Sequence, residues 1–199
     1  MDSDSLIMLL FMVLLTALSG FFSATETAYS SFNRIRMKSL SSSGNKKASL
    51  VLKLDENYDR LITAILIGNN IVNITLTTVS TLFFMKVLTS LSEDVVATLS
   101  TVIVTVVVLV FGEVTPKALS KDHADGYALS TCSLICGFVT VMSPLTILFS
   151  FWKKLIGRVF KTAQTDVTTE DDLITMVEEA EHGGGLDEDE SELIRSAIE

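Results

Sequence analysis

The sequence predicts an all-α integral membrane protein with three transmembrane helices, a re-entrant or juxtamembrane helical hairpin and a cytoplasmic acidic helical bundle. Hydrophobic residues make up 48% of the 199 residues and are concentrated in blocks, whereas a soluble helix would space them periodically. The blocks, extended to their flanks, reach the roughly 20 residues that a bilayer-spanning helix needs. Charge is also divided: residues 166–199 hold 13 acidic residues and one basic residue, Arg195, while residues 1–165 hold 11 acidic and 14 basic residues.

Four apolar segments are candidates for the membrane part, and three of them are predicted to cross the bilayer. The three predicted spans cover residues 6–29, 61–88 and 95–114, and the fourth segment covers residues 127–152. Segment 1 begins after Asp2 and Asp4, whereas a cleaved signal peptide has a basic start. We therefore expect segment 1 to be a retained helix.

The lysine and arginine positions predict the orientation of these segments. Between segments 1 and 2 lie Arg34, Arg36, Lys38, Lys46, Lys47, Lys53 and Arg60. The only basic residue near the connection between segments 2 and 3 is Lys86. We expect a multi-pass protein of the cell (plasma or inner) membrane, and the cytoplasmic loops of such proteins carry an excess of basic residues. Its N-terminus would lie outside, and its first loop and acidic tail in the cytoplasm.

Segment 4 conflicts with this orientation if it crosses the membrane completely. Four basic residues follow it, and a fourth span would place them outside. We expect residues 127–152 to enter and leave on the same side, with breaks at Gly137 and Pro144. The alternative is four complete spans with unusual charge placement.

The regions outside the spans are predicted to be helical as well. Residues 31–57 mix basic and apolar residues, which predicts short amphipathic helices on the inner surface, broken at 41–45. Residues 1–161 would form the transmembrane domain and residues 162–199 the acidic bundle. Two pairs in the tail match helix-starting capping boxes, Thr169 with Asp172 and Asp187 with Glu190. The helical pattern runs up to Glu199, so we expect a longer natural protein.

Polar residues interrupt the first two spans at helical spacing. Ser19, Ser23 and Glu26 are spaced i, i+4 and i+7, which places them on one helix face. Segment 2 contains neighbouring amides at Asn69 and Asn70. Four of its polar residues are also expected to share a face: Asn70, Asn73, Thr77 and Ser80.

The end of segment 3 combines a carboxylate with a helix-breaking residue. Pro116 has no N–H to donate to the carbonyl of Gly112, so that oxygen would be free beside Glu113. Membrane transporters bind cations at broken helix ends that present bare carbonyls. At a rise of about 1.5 Å per residue, the three polar patches reach similar depths in the inner half of the membrane. A salt bridge from Glu113 to Lys117 is the structural alternative.

The donor atoms of these patches indicate a hard cation. Hydroxyl, amide, carbonyl and carboxylate oxygens suit Mg²⁺, Ca²⁺ or Na⁺ and argue against copper or zinc. Each patch also has a structural explanation. The asparagines could hydrogen-bond neighbouring helices, the serines beside Gly20 could allow close packing, and Glu26 could pair with Arg34 or Arg60. Cys132 and Cys136 are interpreted as packing residues.

Residues 19–28, 68–73 and 112–117 resemble the matching stretches of the CNNM/CorC family, the cyclin M-like magnesium transporters, and the resemblance extends over nearly the whole chain. It implies a homodimer of three-span subunits that exports Mg²⁺, with Na⁺ as the coupling ion. Carried over by motif, the metal ligands would be Ser23, Asn70 or Asn69, Asn73, Glu113 and the Gly112 carbonyl. Ser19, Glu26, Thr77 and Pro116 are candidates for the ion pathway or its gate. The family's CBS domains, which bind ATP, have no counterpart in this sequence.

The competing functions belong to different classes. One is a Na⁺-coupled Mg²⁺ exporter working by alternating access, and the other is a non-transporting Mg²⁺ sensor or membrane scaffold that regulates other transporters. No enzyme is predicted, because His123 and His182 lie outside the spans and leave Ser19 and Ser23 without a base. The expected partners are the lipid bilayer and a second subunit, and no nucleic acid.

Overall fold

The computed structural model describes residues 3–146, 149, 152, 173–174, 177–178, 181 and 187–198. The chain forms two compact units, Met1–Lys153 and Lys154–Glu199. This boundary lies eight residues before the one expected after Lys161. The described residues are helical apart from turns and short connections and contain no strand, which confirms the all-α prediction.

The first unit has seven α-helices and one π-helical stretch with described bounds, and residues 143–146 are helical as well. In chain order they are α1 (Ser3–Ser31), α2 (Arg34–Ser42), α3 (Lys46–Asp55), α4 (Tyr58–Val87), α5 (Glu93–Val107), a π segment (Val108–Val114), α6 (Thr115–Asp122) and α7 (Ala124–Val141). Among the described residues, four helices are long and apolar enough to span a membrane: α1, α4, α7 and the continuous helix Glu93–Asp122, which combines α5, the π segment and α6 and is called the third helix. Helices α1 and α4 agree with the first two predicted spans to within three residues at each end.

Helices α1 and α4 pack antiparallel along their whole length. Three side-chain contacts spaced along the pair establish the register: Asp4 with Lys86 (3.2 Å), Ser19 with Asn69 (3.2 Å) and Ser30 with Tyr58 (2.9 Å). Residues further toward the C-terminus of α1 therefore lie beside residues further toward the N-terminus of α4, by nearly equal numbers of positions. This register determines which polar residues of the two helices can meet.

The segment between these helices forms the two short helices that the sequence predicted. The side chain of Asn33 accepts a hydrogen bond from the backbone of Arg36, and that of Asn45 accepts from Lys47 and Ala48. Both are N-caps of the preferred kind, and they start α2 and α3. Gly44 lies between the helices with φ of 90°, a conformation that favours glycine. The predicted break at 41–45 is confirmed.

Both ends of α7 contact the same end of the α1–α4 pair. Near its start, the Asp125 carboxylate accepts from the backbone N–H of Asn33, just after α1, and pairs with Arg36. Just after its end, Ser143 accepts a 2.7 Å hydrogen bond from Arg60 in the first turn of α4. An interfacial or re-entrant segment would have this arrangement, because it returns to the side from which it enters.

Two predicted helix breaks are wrong. Helix α7 continues through Gly137 to Val141, since one glycine costs a helix only about 1 kcal/mol and packing readily offsets that. The third helix does not end near residue 114 but continues to Asp122. Pro116 is accommodated there because it occupies the first turn of α6, directly after the π segment.

In the second unit the longest described run of the acidic tail forms α8 (Glu188–Ile198), and the described residues 173–174, 177–178 and 181 are helical too. It begins as the predicted capping box requires, with the Asp187 N–H donating to the Glu190 carboxylate at 3.3 Å. Arg195 pairs with Glu178 and Glu181. The other predicted box, Thr169 with Asp172, lies outside the described residues.

Substituting Gly68 tests the crossing of α4 with α1 and α7. A Cβ at Gly68 would lie 2.6 Å from the Phe138 ring and 2.8 Å from the Phe22 ring, so Gly68→Ala should overpack this contact by about 1–3 kcal/mol. At Gly137 a Cβ meets nothing within 4 Å, so Gly137→Ala should keep or raise stability through helix propensity. Thermal unfolding in detergent should give Gly68→Ala a lower midpoint than wild type, and Gly137→Ala an equal or higher one. Greater damage from Gly137→Ala would favour a break in α7.

Candidate cation site

Ser19 is the point where α1, α4 and the third helix meet. Its side chain is fully buried, and its hydroxyl donates to the Asn69 Oδ1 at 3.2 Å. On the other side, a Cβ at Gly112 would lie 2.9 Å from the Ser19 Oγ. Only glycine fits this approach without displacing Ser19. Ser19, Asn69 and Gly112 are called the central cluster below.

Two predicted ligands lie on opposite sides of the central cluster. The Ser23 Oγ and the Asn73 Oδ1 are both buried and have no hydrogen-bond partner. Because α1 and α4 are antiparallel, Ser23 lies one turn toward the α2–α3 end and Asn73 one turn the other way. At about 1.5 Å per residue, the two are roughly 12 Å apart along the helix axes. One cation cannot contact both oxygens in this conformation.

Asn69, and not Asn70, faces α1. Asn70 is exposed, and its side chain donates to the Leu66 carbonyl of its own helix at 2.9 Å. Thr77 is exposed as well, so of the predicted face of Asn70, Asn73, Thr77 and Ser80 only the edge with Asn73 and Ser80 turns inward. The inward face instead follows the buried Leu76 and Ser80, since apolar packing sets the rotation of a helix.

The π segment changes which carbonyl Pro116 leaves unpaired. The Thr115 N–H donates to the Val110 carbonyl, five residues back. Continued by one residue, this register sets Pro116 opposite Phe111, whereas an α-helix would set it opposite Gly112. A Cβ at Gly20 would lie 3.1 Å from both the Phe111 carbonyl oxygen and the Pro116 ring. It is therefore the Phe111 carbonyl, and not the Gly112 carbonyl, that lies opposite the missing N–H of Pro116.

The charged residues of the site pair differently from either sequence-based alternative. Lys117 lies 3.1 Å from Glu26, so neither the Glu113–Lys117 bridge nor a pairing of Glu26 with Arg34 or Arg60 forms. Arg34 pairs instead with Asp55. Within the described part of the chain, the half-buried Glu113 carboxylate has no hydrogen bond or ion pair.

Glu113 lies on the Ser23 side of the central cluster. Helix α1 and the third helix run parallel: Ser19 adjoins Gly112, and further along the Ser120 hydroxyl donates to the Ala24 carbonyl at 2.5 Å. Glu113 precedes Lys117 by one turn and Ser23 precedes Glu26 by one turn. Both oxygen-bearing side chains therefore lie between the central cluster and the Glu26–Lys117 pair.

The described residues contain no group of three or more histidine, cysteine, aspartate or glutamate side chains placed to hold a metal ion. A cation in this region would thus be bound mainly by neutral oxygens, with Glu113 and Glu26 as the nearby carboxylates. Such a donor set differs from the carboxylate-rich cages of tight Ca²⁺ sites.

Comparison with known proteins identifies the family. The cyclin M transmembrane N-terminal domain, CNNM, matches residues 9–190. The chain belongs to the CNNM family. The family is defined by a transmembrane domain, and this agrees with the several apolar helices of the fold.

Three relatives illustrate the range of similar proteins. A UPF0053 protein of Haemophilus influenzae is 32% identical over 90% of this chain and 43% of its own length. A UPF0053 inner membrane protein of Escherichia coli K12 is 32% identical over 82% of this chain and 38% of its own. A polyamine export protein of the same strain is 30% identical over 96% of this chain and 45% of its own. The chain thus spans less than half the length of these curated relatives.

Replacing each asparagine separately tests which one faces α1. Asn69→Ala should leave the Ser19 hydroxyl unpaired and destabilise the protein by about 0.6–1.7 kcal/mol, the range of interhelical hydrogen bonds in membranes. Asn70→Ala removes a bond within its own helix and none to α1, so it should destabilise the chain less than Asn69→Ala does. Unfolding in mixed micelles measures both, and a double-mutant cycle with Ser19→Ala isolates the pair. Zero coupling between residues 19 and 69 would rule the contact out.

Proposed function

We propose that this protein exports Mg²⁺ through the membrane, driven by Na⁺ entry, with the ion passing the central cluster by alternating access. The observation that carries the proposal is that two of the buried oxygens without partners in the described residues, the Ser23 Oγ and the Asn73 Oδ1, lie on either side of that cluster. An unsatisfied buried oxygen costs about 1–3 kcal/mol, which a passing cation would offset. Polar atoms inside a membrane domain commonly mark an ion pathway.

The donor chemistry favours a hard cation that is bound and then released. The oxygens near the cluster are hydroxyl, amide and carbonyl groups, joined on the inner side by the Glu113 carboxylate. Mg²⁺ keeps several of its waters when it binds, so a few protein oxygens at each position are sufficient. A single unpaired carboxylate gives attraction without the tight binding that would stop transport.

The same geometry suggests a gate. Ser19 and Asn69 are hydrogen-bonded at 3.2 Å, with Gly112 packed against Ser19, so no ion passes between them in this conformation. Ser23 and Glu113 would bind the ion on the cytoplasmic side, and Asn73 on the other side. Opening then requires α1 to separate from α4 at residue 19, while the Glu26–Lys117 pair holds the inner end of α1 to the third helix.

A second candidate substrate is a polyamine. The Escherichia coli relative that matches 96% of this chain is named a polyamine export protein. An ammonium group donates hydrogen bonds to the same hydroxyl, amide and carboxylate oxygens that would bind Mg²⁺. A non-transporting Mg²⁺ sensor is the remaining alternative, and it predicts binding without flux.

Flux in proteoliposomes tests the proposed transport and its site together. With an imposed Na⁺ gradient, the wild-type chain should move Mg²⁺, and Glu113→Gln should lower the rate at least tenfold because it removes the attracting charge. Glu56→Gln, an exposed residue at the end of α3, is the matched control and should retain wild-type flux. Equal thermal midpoints would show that both variants fold.

Each alternative has its own outcome in this assay. Spermidine movement without Mg²⁺ movement would assign the polyamine function. Mg²⁺-dependent thermal stabilisation without flux under any gradient would support the sensor. Wild-type flux in Glu113→Gln would mean that the ion path lies elsewhere.

We also propose that the protein is a homodimer whose interface includes the outer face of α4. Asn70 and Thr77 are exposed on this helix, although they lie well inside an apolar span of 30 residues. Polar side chains of membrane helices seldom face lipid and usually face protein or a wet cavity. A second copy of the chain would cover them.

Cysteine cross-linking tests this interface. In a variant with Cys132→Ser and Cys136→Ser, Asn70→Cys should give a disulfide-linked dimer under mild oxidation, because C2 symmetry brings equivalent residues near the axis together. Ile35→Cys, an exposed position on α2 with 81% of its surface accessible, is the control and should stay monomeric. Equal cross-linking of both variants would indicate random collision.

A further inference from the structure

A small pocket lies where the end of α3, the start of α4 and the last turns of α7 meet. Its volume is about 140 Å³, and it is lined by Leu50, Lys53, Leu54, Asn57, Arg60, Leu61, Cys136, Val139 and Thr140. Its apolar lining comes mainly from leucine side chains, and its polar lining from two cations, an amide and a hydroxyl; among the described residues, no acidic one lines it.

The two cations of the pocket have no acidic partner in the described part of the chain. Neither Lys53 nor Arg60 forms an ion pair there, and Asp55, the acid nearest to Lys53 in sequence, is taken up by Arg34 at 2.8 Å. The Arg60 Nη2 donates to the Ser143 Oγ at 2.7 Å. A guanidinium has five N–H donors, so this bond orients Arg60 and leaves other donors for a ligand.

We propose that this pocket binds the phosphate group of an anionic membrane phospholipid. Two cations without an ion pair in the described residues, beside the Asn57 amide, match a phosphate oxyanion, with arginine able to donate two parallel hydrogen bonds. The proposal does not depend on the transport function and assigns the pocket a ligand of its own.

The position of the pocket favours a lipid over free phosphate. Arg60 directly precedes the apolar part of α4, so its side chain lies at the height where lipid phosphates are found. Basic pockets at the cytoplasmic ends of membrane helices attract anionic head groups. Val141, with 68% of its surface exposed, directly follows Thr140 and offers apolar surface to an acyl chain. The leucine side chains that line the pocket also disfavour a fully hydrated ion, because they cannot hydrogen-bond to its water molecules.

Bound lipid would bridge three elements of the first unit. Lys53 belongs to α3, Arg60 to α4 and Thr140 to α7. The Arg60–Ser143 hydrogen bond already ties the start of α4 to the end of α7. A phosphate between Lys53 and Arg60 would add α3 to this junction, so the lipid should stabilise the fold.

Lipid binding to the purified chain in detergent tests the proposal. Native mass spectrometry should detect one tightly bound phosphatidylglycerol per chain, and the same lipid should raise the thermal midpoint, whereas phosphatidylcholine should do neither. Lys53→Gln combined with Arg60→Gln should weaken phosphatidylglycerol binding at least tenfold. Lys46→Gln combined with Lys47→Gln removes the same charge from the first turn of α3, outside the pocket, and should change binding less than twofold.

Three outcomes would overturn the proposal. Equal losses in the two double variants would mean attraction to surface charge alone. Equal binding of phosphatidylcholine would remove the role of headgroup charge, and protection by inorganic phosphate in the absence of lipid would make the free ion the ligand. If the pocket variant fails to fold, Arg60→Lys serves instead. It keeps the charge, and it should lose at least threefold in affinity because the paired donors are gone; an unchanged affinity contradicts the site.

Discussion

The structure depends on how closely α1 approaches its two neighbours at Ser19 and Gly20. A side chain at Gly112 would touch the Ser19 hydroxyl, and one at Gly20 would touch the Phe111 carbonyl and Pro116. In a membrane, helix association is driven by such close packing and by hydrogen bonds, because lipid tails are as apolar as the side chains. The two glycines therefore determine the register of α1 against the third helix, and Ser19 determines it against α4. The positions of Ser23, Asn73 and Glu113 follow from these two registers.

The third helix changes partner at the π segment: α5 packs against α4, whereas the π segment and α6 pack against α1. Its buried residues recur at intervals of four or eight: Val96, Ser100, Val104, Gly112 and Ser120. On a straight α-helix, positions four apart turn by about 40° relative to one another, so this stripe would wind away from a straight neighbour. A wider turn at residues 108–114 takes up part of that rotation. It also moves Pro116 opposite Phe111, and the sequence alone contained no sign of this shift.

Sequence patterns predicted those parts of the fold that one helix decides for itself. The bounds of α1 and α4 follow from apolar length, and the break between α2 and α3 follows from the cap at Asn45. Patterns failed where neighbouring helices decide. Asn69 and Asn70 differ by only about 100° around α4, and the packing of Leu76 against the core selects Asn69. A glycine such as Gly137 is typical of a helix break. Helix α7 nevertheless continues, because Cys132, Ile135 and Val139 are buried along one side of the helix.

The basic residues between α1 and α4 divide into two groups that the sequence could not separate. Arg34 and Arg36 have structural roles, since they pair with Asp55 on α3 and Asp125 on α7. Within the described part of the chain, the others form no ion pair: Lys38, Lys46, Lys47, Lys53 and Arg60. A paired arginine contributes little to the field at the membrane surface, because an opposite charge lies within 3.4 Å of it and salt screens the remainder over about 8–10 Å. Attraction to an anionic leaflet therefore comes from the unpaired group, and Lys53 and Arg60 are the two of its members that also line a pocket.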